Sequence, residues 1–392
     1  MMTFEETTAR EERFQLATYK KFPLALRSGS GCWVETEGGE RYLDLYGGHA
    51  VAGVGHCHPR VVEAVRAQAG ELMFYSNLVY SEVRARAAEK LTGCAPAPLG
   101  KVFFCNSGTE ANENAMRMAR MRTGRESIIT FEGGFHGRTA DSISATFLGK
   151  YRQLGRPNVP GHFAAEFGSV ESVAQLADES VAAVMLEPIQ SMAGVKMAEP
   201  DFYRALRELC DERGMLLIYD EVQTGVGRTG EWFFAAGACG GGVVPDILTL
   251  AKALGSGLPV GACLTTEDVA AHIKENDLGT TFGGGMLAMA AVEATLEAIE
   301  QDGMLENVRR VERHLRERLE GVRRVVGVRG RGMLLGVEFD SEISGQMQKA
   351  LLERRIITGT SSDARVLRLL PPLCLSVEEA DLFVEALKEA AA

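Results

Sequence analysis

Between Lys101 and about Thr266 the chain alternates short β-rich apolar runs with stretches of helical period. The runs are Lys101–Cys105, Ser127–Phe131, Val181–Leu186, Met215–Tyr219, Ile247–Leu250 and Val260–Leu264. Among the helical stretches, Asp201–Arg213 puts Phe202, Leu206 and Leu209 on one face. Strand–helix alternation of this kind implies a mainly parallel sheet covered by helices on both sides. The ends read differently. Before about Gly53 lie short strand-like pieces, Cys32–Thr36 and Arg41–Asp44, with glycine turns. After Gly285 come helical stretches, Met286–Glu300 and Met304–Arg324, then a strand at Met333–Phe339. The expected architecture is α/β: a large domain over 53–285 and a smaller α+β domain built from 1–52 and 286–392.

At 392 residues the chain can bury a large core, and its net charge of −11 argues against a nucleic-acid partner, which needs a basic face. The densest basic stretch, Arg309 to Arg324, alternates with Glu and apolar residues and reads as the solvated side of an amphipathic helix. Met1 to Arg13 is polar and acidic, without the apolar core of a secretory signal. No apolar stretch reaches the roughly eighteen residues of a membrane span. The eight cysteines are scattered without a CxxC pair, as expected of thiols in a reducing cytoplasm.

The residues that carry chemistry fall at the ends of the predicted strands, where open α/β sheets place ligands. After Phe103-Phe104-Cys105 come Asn106, Ser107, Gly108, Thr109 and Glu110. Ser107 with Glu110 fits a capping box, Gly108 permits close backbone approach, and the exposed amides form a phosphate seat. A capped helix with no ligand is the alternative. Asp220 and Glu221 follow the apolar run Leu217-Ile218-Tyr219, either as a solvated loop start or as working carboxylates. Lys252 is embedded among apolar and small residues, where an ammonium is costly to bury unless it snorkels, is paired, or is reactive. Together these segments offer a phosphate seat, a carboxylate and a buried amine. Pyridoxal 5'-phosphate needs those parts: a lysine for its aldehyde carbon, an acid against its pyridine nitrogen, and an anion site. Freed from the cofactor, Lys252 can serve as general base and acid. Two look-alikes fail. Gly225-Val226-Gly227-Arg228-Thr229-Gly230 matches GxGxxG but opens no helix, and His56-Cys57-His58 has no second cluster with which to bind a metal.

These segments resemble the class III (ornithine-type) aminotransferases of the fold-type I pyridoxal-phosphate enzymes, over essentially the whole chain. The matching motifs are Gly47-Gly48-His49-Ala50-Val51 with Gly55-His56-Cys57-His58-Pro59, Asn106 to Glu113, Gly134 to Thr139, Glu187-Pro188-Ile189-Gln190, Asp220 to Gly225, Lys252, Gly279 to Gly284 and Leu367 to Pro372. The resemblance implies that Ser107, Gly108 and Thr109 hold the phosphate, that Phe135 stacks on the ring, that Val222 belongs to the cofactor site, that Asp220 pairs with the pyridine nitrogen and that Gln223 approaches the ring hydroxyl. It implies a homodimer in which Thr281 reaches the partner's cofactor, with Thr280 near the substrate. Arg138 and Arg368 would grip the two carboxylates of 2-oxoglutarate or glutamate, as a planar fork suits a carboxylate. Ser76-Asn77-Leu78, Gly134 to Thr139 and the Leu-Pro-Pro after Arg368 resemble the branch that transfers the ω-amino group of N-acetylornithine. 4-Aminobutyrate, ornithine, succinylornithine and acetyllysine-type donors, or a racemase or mutase of the same fold, are the alternatives. One departure stands out. Where the family usually reads Glu-Pro-Ile-Gln-Gly-Glu, this chain has Gln190-Ser191-Met192, without the acid that pairs with the arginine equivalent to Arg368.

Overall fold

The computed structural model describes residues 2–392. Seven strands form the central sheet, numbered here in chain order: β1 Lys101–Cys105, β2 Ser127–Phe131, β3 His162–Ala165, β4 Val181–Leu186, β5 Leu216–Asp220, β6 Ile247–Leu250 and β7 Gly261–Thr265. Their order across the sheet is β1-β7-β6-β5-β4-β2-β3. Neighbours are parallel except around β7, which runs against both β6 and β1. Six strands therefore point the same way. Strands β2, β4, β5, β6 and β7 are buried along their whole length. Unbroken apolar runs are what a sheet covered on both faces requires. The helix Gly108–Thr123 lies across β4 to β7, with Ala111, Ala115, Met116 and Ala119 buried at helical spacing.

Several boundaries differ from the sequence pattern. Met215 and Val260 are buried but precede β5 and β7 rather than pairing in them, so both strands start and end one residue later. The helix expected over Met304–Arg324 ends at Leu319, because Gly321 turns into the left-handed region at φ 75°. Strand β3 has no counterpart in the apolar pattern. It is an edge strand with Phe163 facing solvent.

Both chain ends contribute to one sheet beside the central one. Leu26–Ser30, Trp33–Thr36 and Arg41–Asp44 form an antiparallel meander, and Ile356–Ile357 adds to it parallel to Arg41–Asp44. A further sheet joins Val325–Arg331, Leu334–Phe339, Val366–Leu369 and Gly359–Thr360. The helix Met286–Gln301 packs on Pro59–Glu71, on Glu82–Cys94 and on the turn Lys252–Gly255. We propose the division into 1–52, 53–285 and 286–392 with this helix as the seam.

Candidate active site

Because β1, β2, β4, β5 and β6 run the same way, their C-terminal ends meet at one edge of the sheet. There the structure gathers Ser107 and Gly108 after β1, Phe135 and His136 after β2, Glu187 after β4, Asp220 at the end of β5 and Lys252 after β6. Asp220 is buried and closely held. Its Oδ2 accepts from His136 Nδ1 at 2.8 Å and from Asn112 Nδ2 at 2.7 Å, and its Oδ1 accepts from the Val222 amide at 3.1 Å. Asn112 is fixed in turn by the Thr249 hydroxyl at 2.6 Å and by donating to His136 O at 2.7 Å. A carboxylate so fixed cannot swing, and its second oxygen keeps a lone pair for a ligand.

Lys252 sits at φ 37°, a conformation disfavoured for any residue with a Cβ, just after β6. Strain of this kind persists only where the surroundings impose it. Among the described residues, its Nζ makes no hydrogen bond. Burial pushes the amine's pKa down, the carboxylates of Asp220 and Glu187 oppose this, and the Arg368 guanidinium reinforces it. A depressed lysine spends more time as the free, nucleophilic amine. Glu187 is buried, and its carboxyl is raised to about 7 by desolvation first and the nearby Asp220 second. Its Oε1 accepts from the Phe135 amide at 2.8 Å, which fixes the backbone that carries that ring.

At the end of β1, Ser107 caps the helix by accepting from the Glu110 amide at 3.3 Å. The reciprocal half of the expected capping box does not form. The Glu110 carboxylate accepts instead from Asn106, from the amide at 2.9 Å and from Nδ2 at 2.9 and 3.1 Å, because Asn106 offers both donors together. The Ser107, Gly108 and Thr109 amides are thus left for an anion. A Cβ on Gly108 would stand 2.9 Å from the side chain of Val222, so only glycine lets these two elements close. The Gln223 Oε1 is buried with no hydrogen-bond partner among the described residues. Thr109 shares a 2.6 Å hydroxyl contact with Thr139. The Thr280 hydroxyl is occupied by Asn106 Nδ2 at 2.9 Å and by the Gly283 amide at 3.2 Å, so it braces the loop beside the helix start, while Thr281 is exposed.

Arg368 is only 4% exposed and has no carboxylate partner among the described residues. Its Nε donates to Thr360 O at 2.6 Å, Nη1 to Ser191 Oγ at 3.1 Å and Nη2 to Tyr46 OH at 2.7 Å. A buried guanidinium held only by neutral groups retains its full charge for an incoming anion. Arg138 is exposed and lies over the Tyr151 ring at 5.0 Å, and Tyr151 in turn meets Phe135 edge-on at 5.5 Å. Tyr46, Ser191, Asn112, His136 and Glu187 were assigned no role from sequence. Asn112, His136 and Glu187 fell within matching motifs, and Asn112 also shows as a lone amide on the otherwise apolar face of Gly108–Thr123.

The family profile described as aminotransferase class-III matches residues 15–391. The chain belongs to this family. The acetylornithine aminotransferase of Methanopyrus kandleri is 44% identical over 385 residues, covering 97% of this chain and 98% of that protein. Among solved structures, the acetylornithine aminotransferase of Elizabethkingia anophelis matches with a TM-score of 0.85 at 28% identity, covering 100% of this chain and 99% of that one. An ornithine aminotransferase structure from Toxoplasma gondii, described with partial occupancy of PLP at its active site, matches with a TM-score of 0.90 at 29% identity over 99% of this chain and 94% of that one. The fold is therefore that of the fold-type I pyridoxal-phosphate transferases, and the aminotransferase uses pyridoxal 5'-phosphate. Its own residues fit that group. The open amides at Gly108 suit a phosphate, the unpartnered Gln223 Oε1 suits a hydroxyl donor, and the fixed Asp220 faces a buried amine.

Glu221, next to Asp220, does a different job. It is fully buried and accepts from the Phe234 amide at 2.7 Å, the Ala235 amide at 2.8 Å and Thr224 Oγ1 at 3.0 Å, so it anchors the loop that follows β5. Burial raises its carboxyl from 4.5 to about 7. A raised folded-state value favours the folded state below pH 4.5, and that contribution is lost as pH rises to about 7. Glu221→Gln removes this titration and turns an amide NH2 toward backbone donors, at a cost of about 2 kcal/mol. Urea midpoints should show the gap from the parent widest at pH 5 and narrower at pH 7; a gap independent of pH would rule out titration of Glu221 in this range.

Proposed function

We propose that this aminotransferase moves the ω-amino group of N2-acetylornithine to 2-oxoglutarate, giving N-acetylglutamate 5-semialdehyde and glutamate in arginine biosynthesis. The observation that carries the reading is Arg368, a buried, uncompensated cation electrostatically linked to Lys252. Near full-length similarity to acetylornithine aminotransferases supports the same donor. Bound pyridoxal phosphate supplies the ring that accepts electrons when a C–H bond beside nitrogen breaks. The chain supplies the rest. Asp220 holds a proton on the ring nitrogen, Phe135 and Val222 flank the ring, and Gln223 accepts from its hydroxyl. Ser107, Gly108 and Thr109 bind the phosphate. Lys252 Nζ takes the proton from the donor carbon that bears the amino group, and Arg368 binds the α-carboxylate of 2-oxoglutarate. Arg138, at the open end, binds the distal carboxylate of 2-oxoglutarate.

A homodimer and a cytoplasmic location are part of the proposal. Leu72, Met73, Tyr75, Leu78 and Tyr80 are exposed beside the exposed Phe282, more apolar surface than solvent normally meets. Asn77 donates to Gly283 O at 2.9 Å and Arg84 to Gly284 O at 2.8 Å, tying this row to the loop that carries Thr280 and Thr281. A second copy covering the row would bring Thr281 to its partner's phosphate. Eight cysteines without a disulfide suit a reducing compartment, and no helix among the described residues is long and apolar enough to cross a membrane.

With Met192 in place of an acid, Arg368 stays open to any α-carboxylate. Free ornithine could therefore bind in either direction, whereas an N-acylated donor presents only one amine. The test follows the visible absorption of the holoenzyme as donors are added without a keto acid. N-acetylornithine should bleach it at least about tenfold faster than ornithine or 4-aminobutyrate, a difference of about 1.4 kcal/mol in the barrier. Faster bleaching by another amine would replace the donor while leaving the family intact. Met192→Glu should leave the N-acetylornithine rate within about twofold and depress reaction at α-amines by about tenfold. A large loss with N-acetylornithine would contradict the open arginine.

A further inference from the structure

We propose that Asp44 and His56 are positioning residues for the substrate arginine, acting through Tyr46. Residues Gly47, Gly48, His49 and Ala50 have φ of 55°, 57°, 66° and 65°. They make one turn of left-handed helix, closed by hydrogen bonds from the Ala50 amide to Tyr46 O at 2.9 Å and from the Val51 amide to Gly47 O at 2.8 Å. Two glycines enter such a turn freely. His49 and Ala50 do not, because the Cβ of an L-residue crowds the following carbonyl. Something outside the turn must hold it.

Asp44 is that holder. Its Oδ1 accepts from the amides of Tyr46 and Gly47, both at 2.9 Å, and its Oδ2 accepts from His56 Nε2 at 2.8 Å. Asp44 is buried, so an unrestrained carboxylate there could rotate away from the turn, and His56 prevents this. His56 is itself seated, with its Cβ 2.9 Å from the place a Cβ on Gly29 would occupy. From the other side, the Leu370 amide donates to Leu45 O at 2.7 Å.

The residue that leads into this turn is Tyr46. Its hydroxyl accepts from Arg368 Nη2 at 2.7 Å, and its ring lies 5.5 Å from the guanidinium carbon. Gly359 leaves the ring room, since a Cβ there would overlap it at 2.0 Å, and the adjacent Thr360 O takes Arg368 Nε. The chain of contacts thus runs from His56 to Asp44, to the left-handed turn, to Tyr46, to Arg368. Of His56-Cys57-His58, it is His56 that serves as the brace, while His58 pairs with Asp302.

The inference rests on reading Arg368 as the α-carboxylate site, and the experiment separates the two. Steady-state kinetics of the holoenzyme would compare Arg368→Ala, Tyr46→Phe, His56→Ala, and Tyr46→Phe with His56→Ala together. Tyr46→Phe and His56→Ala are each expected to raise KM for 2-oxoglutarate about tenfold, the worth of one hydrogen bond to a charged group. Because they act along one chain, the double variant should be no worse than the larger single. Visible absorption of the bound cofactor and kcat should stay at the parent values, and His56→Gln, whose amide still donates to Asp44, should recover most of the affinity. If His56→Ala does not fold, His56→Asn takes its place, too short to reach Asp44. Multiplying effects, or an unchanged KM on loss of His56, would overturn the brace while Arg368→Ala still raises KM. An unchanged KM in Arg368→Ala would remove the carboxylate reading and the brace with it.

Discussion

Lys252→Ala should fold and bind pyridoxal phosphate yet transaminate at least about ten-thousandfold more slowly than the parent. The lysine has two jobs at one atom. On the proposed reading its Nζ would give the cofactor a covalent seat, and the same nitrogen would carry a proton to and from the donor carbon. Burial and the Arg368 charge depress the amine while Asp220 and Glu187 counter them, so it can both lose and regain that proton. Alanine removes the base and leaves the buried space of the side chain unfilled. Single-turnover absorbance with N-acetylornithine is the measurement, repeated with a small primary amine added to the buffer. Partial rescue by that amine would locate the loss in proton transfer. Activity within about tenfold of the parent would remove Lys252 from the chemistry.

Asp220→Asn is expected to lower kcat by about a thousandfold with little change in KM for either substrate. An asparagine oxygen still accepts from His136 Nδ1 and Asn112 Nδ2, and the one bond lost is that from the Val222 amide, which then faces the new NH2. What disappears is the negative charge that favours a protonated ring nitrogen. The loss therefore falls on the transition state rather than on binding, which is why it should appear in kcat. Stopped-flow rates for the two half-reactions check it, and both should slow together. A variant slowed only in KM would mean that Asp220 merely shapes the pocket.

Much of this site could be read from the chain because its parts lie at the ends of long buried runs. Strands β1, β2, β4 and β6 match the apolar segments residue for residue, and for the last three of these, buried on both faces, an unbroken apolar run is the mark left in the sequence. Asp220 and Lys252 were legible for the same reason: a charge directly after such a run has a sheet edge to occupy. Strand β3 left no such mark, because one face meets solvent. Local signals misled at Glu110, whose carboxylate had two donors on Asn106 within reach. The surroundings of Arg368 were beyond any local reading. Its partners Ser191 and Tyr46 stand 177 and 322 positions away in the chain, and spacing in sequence says nothing about neutral hydroxyls brought together by a fold.

That last separation also sets an order of events in time. Ile356–Ile357, from the last tenth of the chain, closes the open edge of the strand Arg41–Asp44. At roughly 5–20 residues per second of synthesis, the 322 positions between Tyr46 and Arg368 correspond to tens of seconds. Through that interval the nascent chain carries an unpaired strand edge and a substrate seat with one wall missing. The central strands and Lys252 are complete well before. The ribosome thus delivers the two halves of the catalytic centre in sequence, and the exposed edge is the part a chaperone would need to shield.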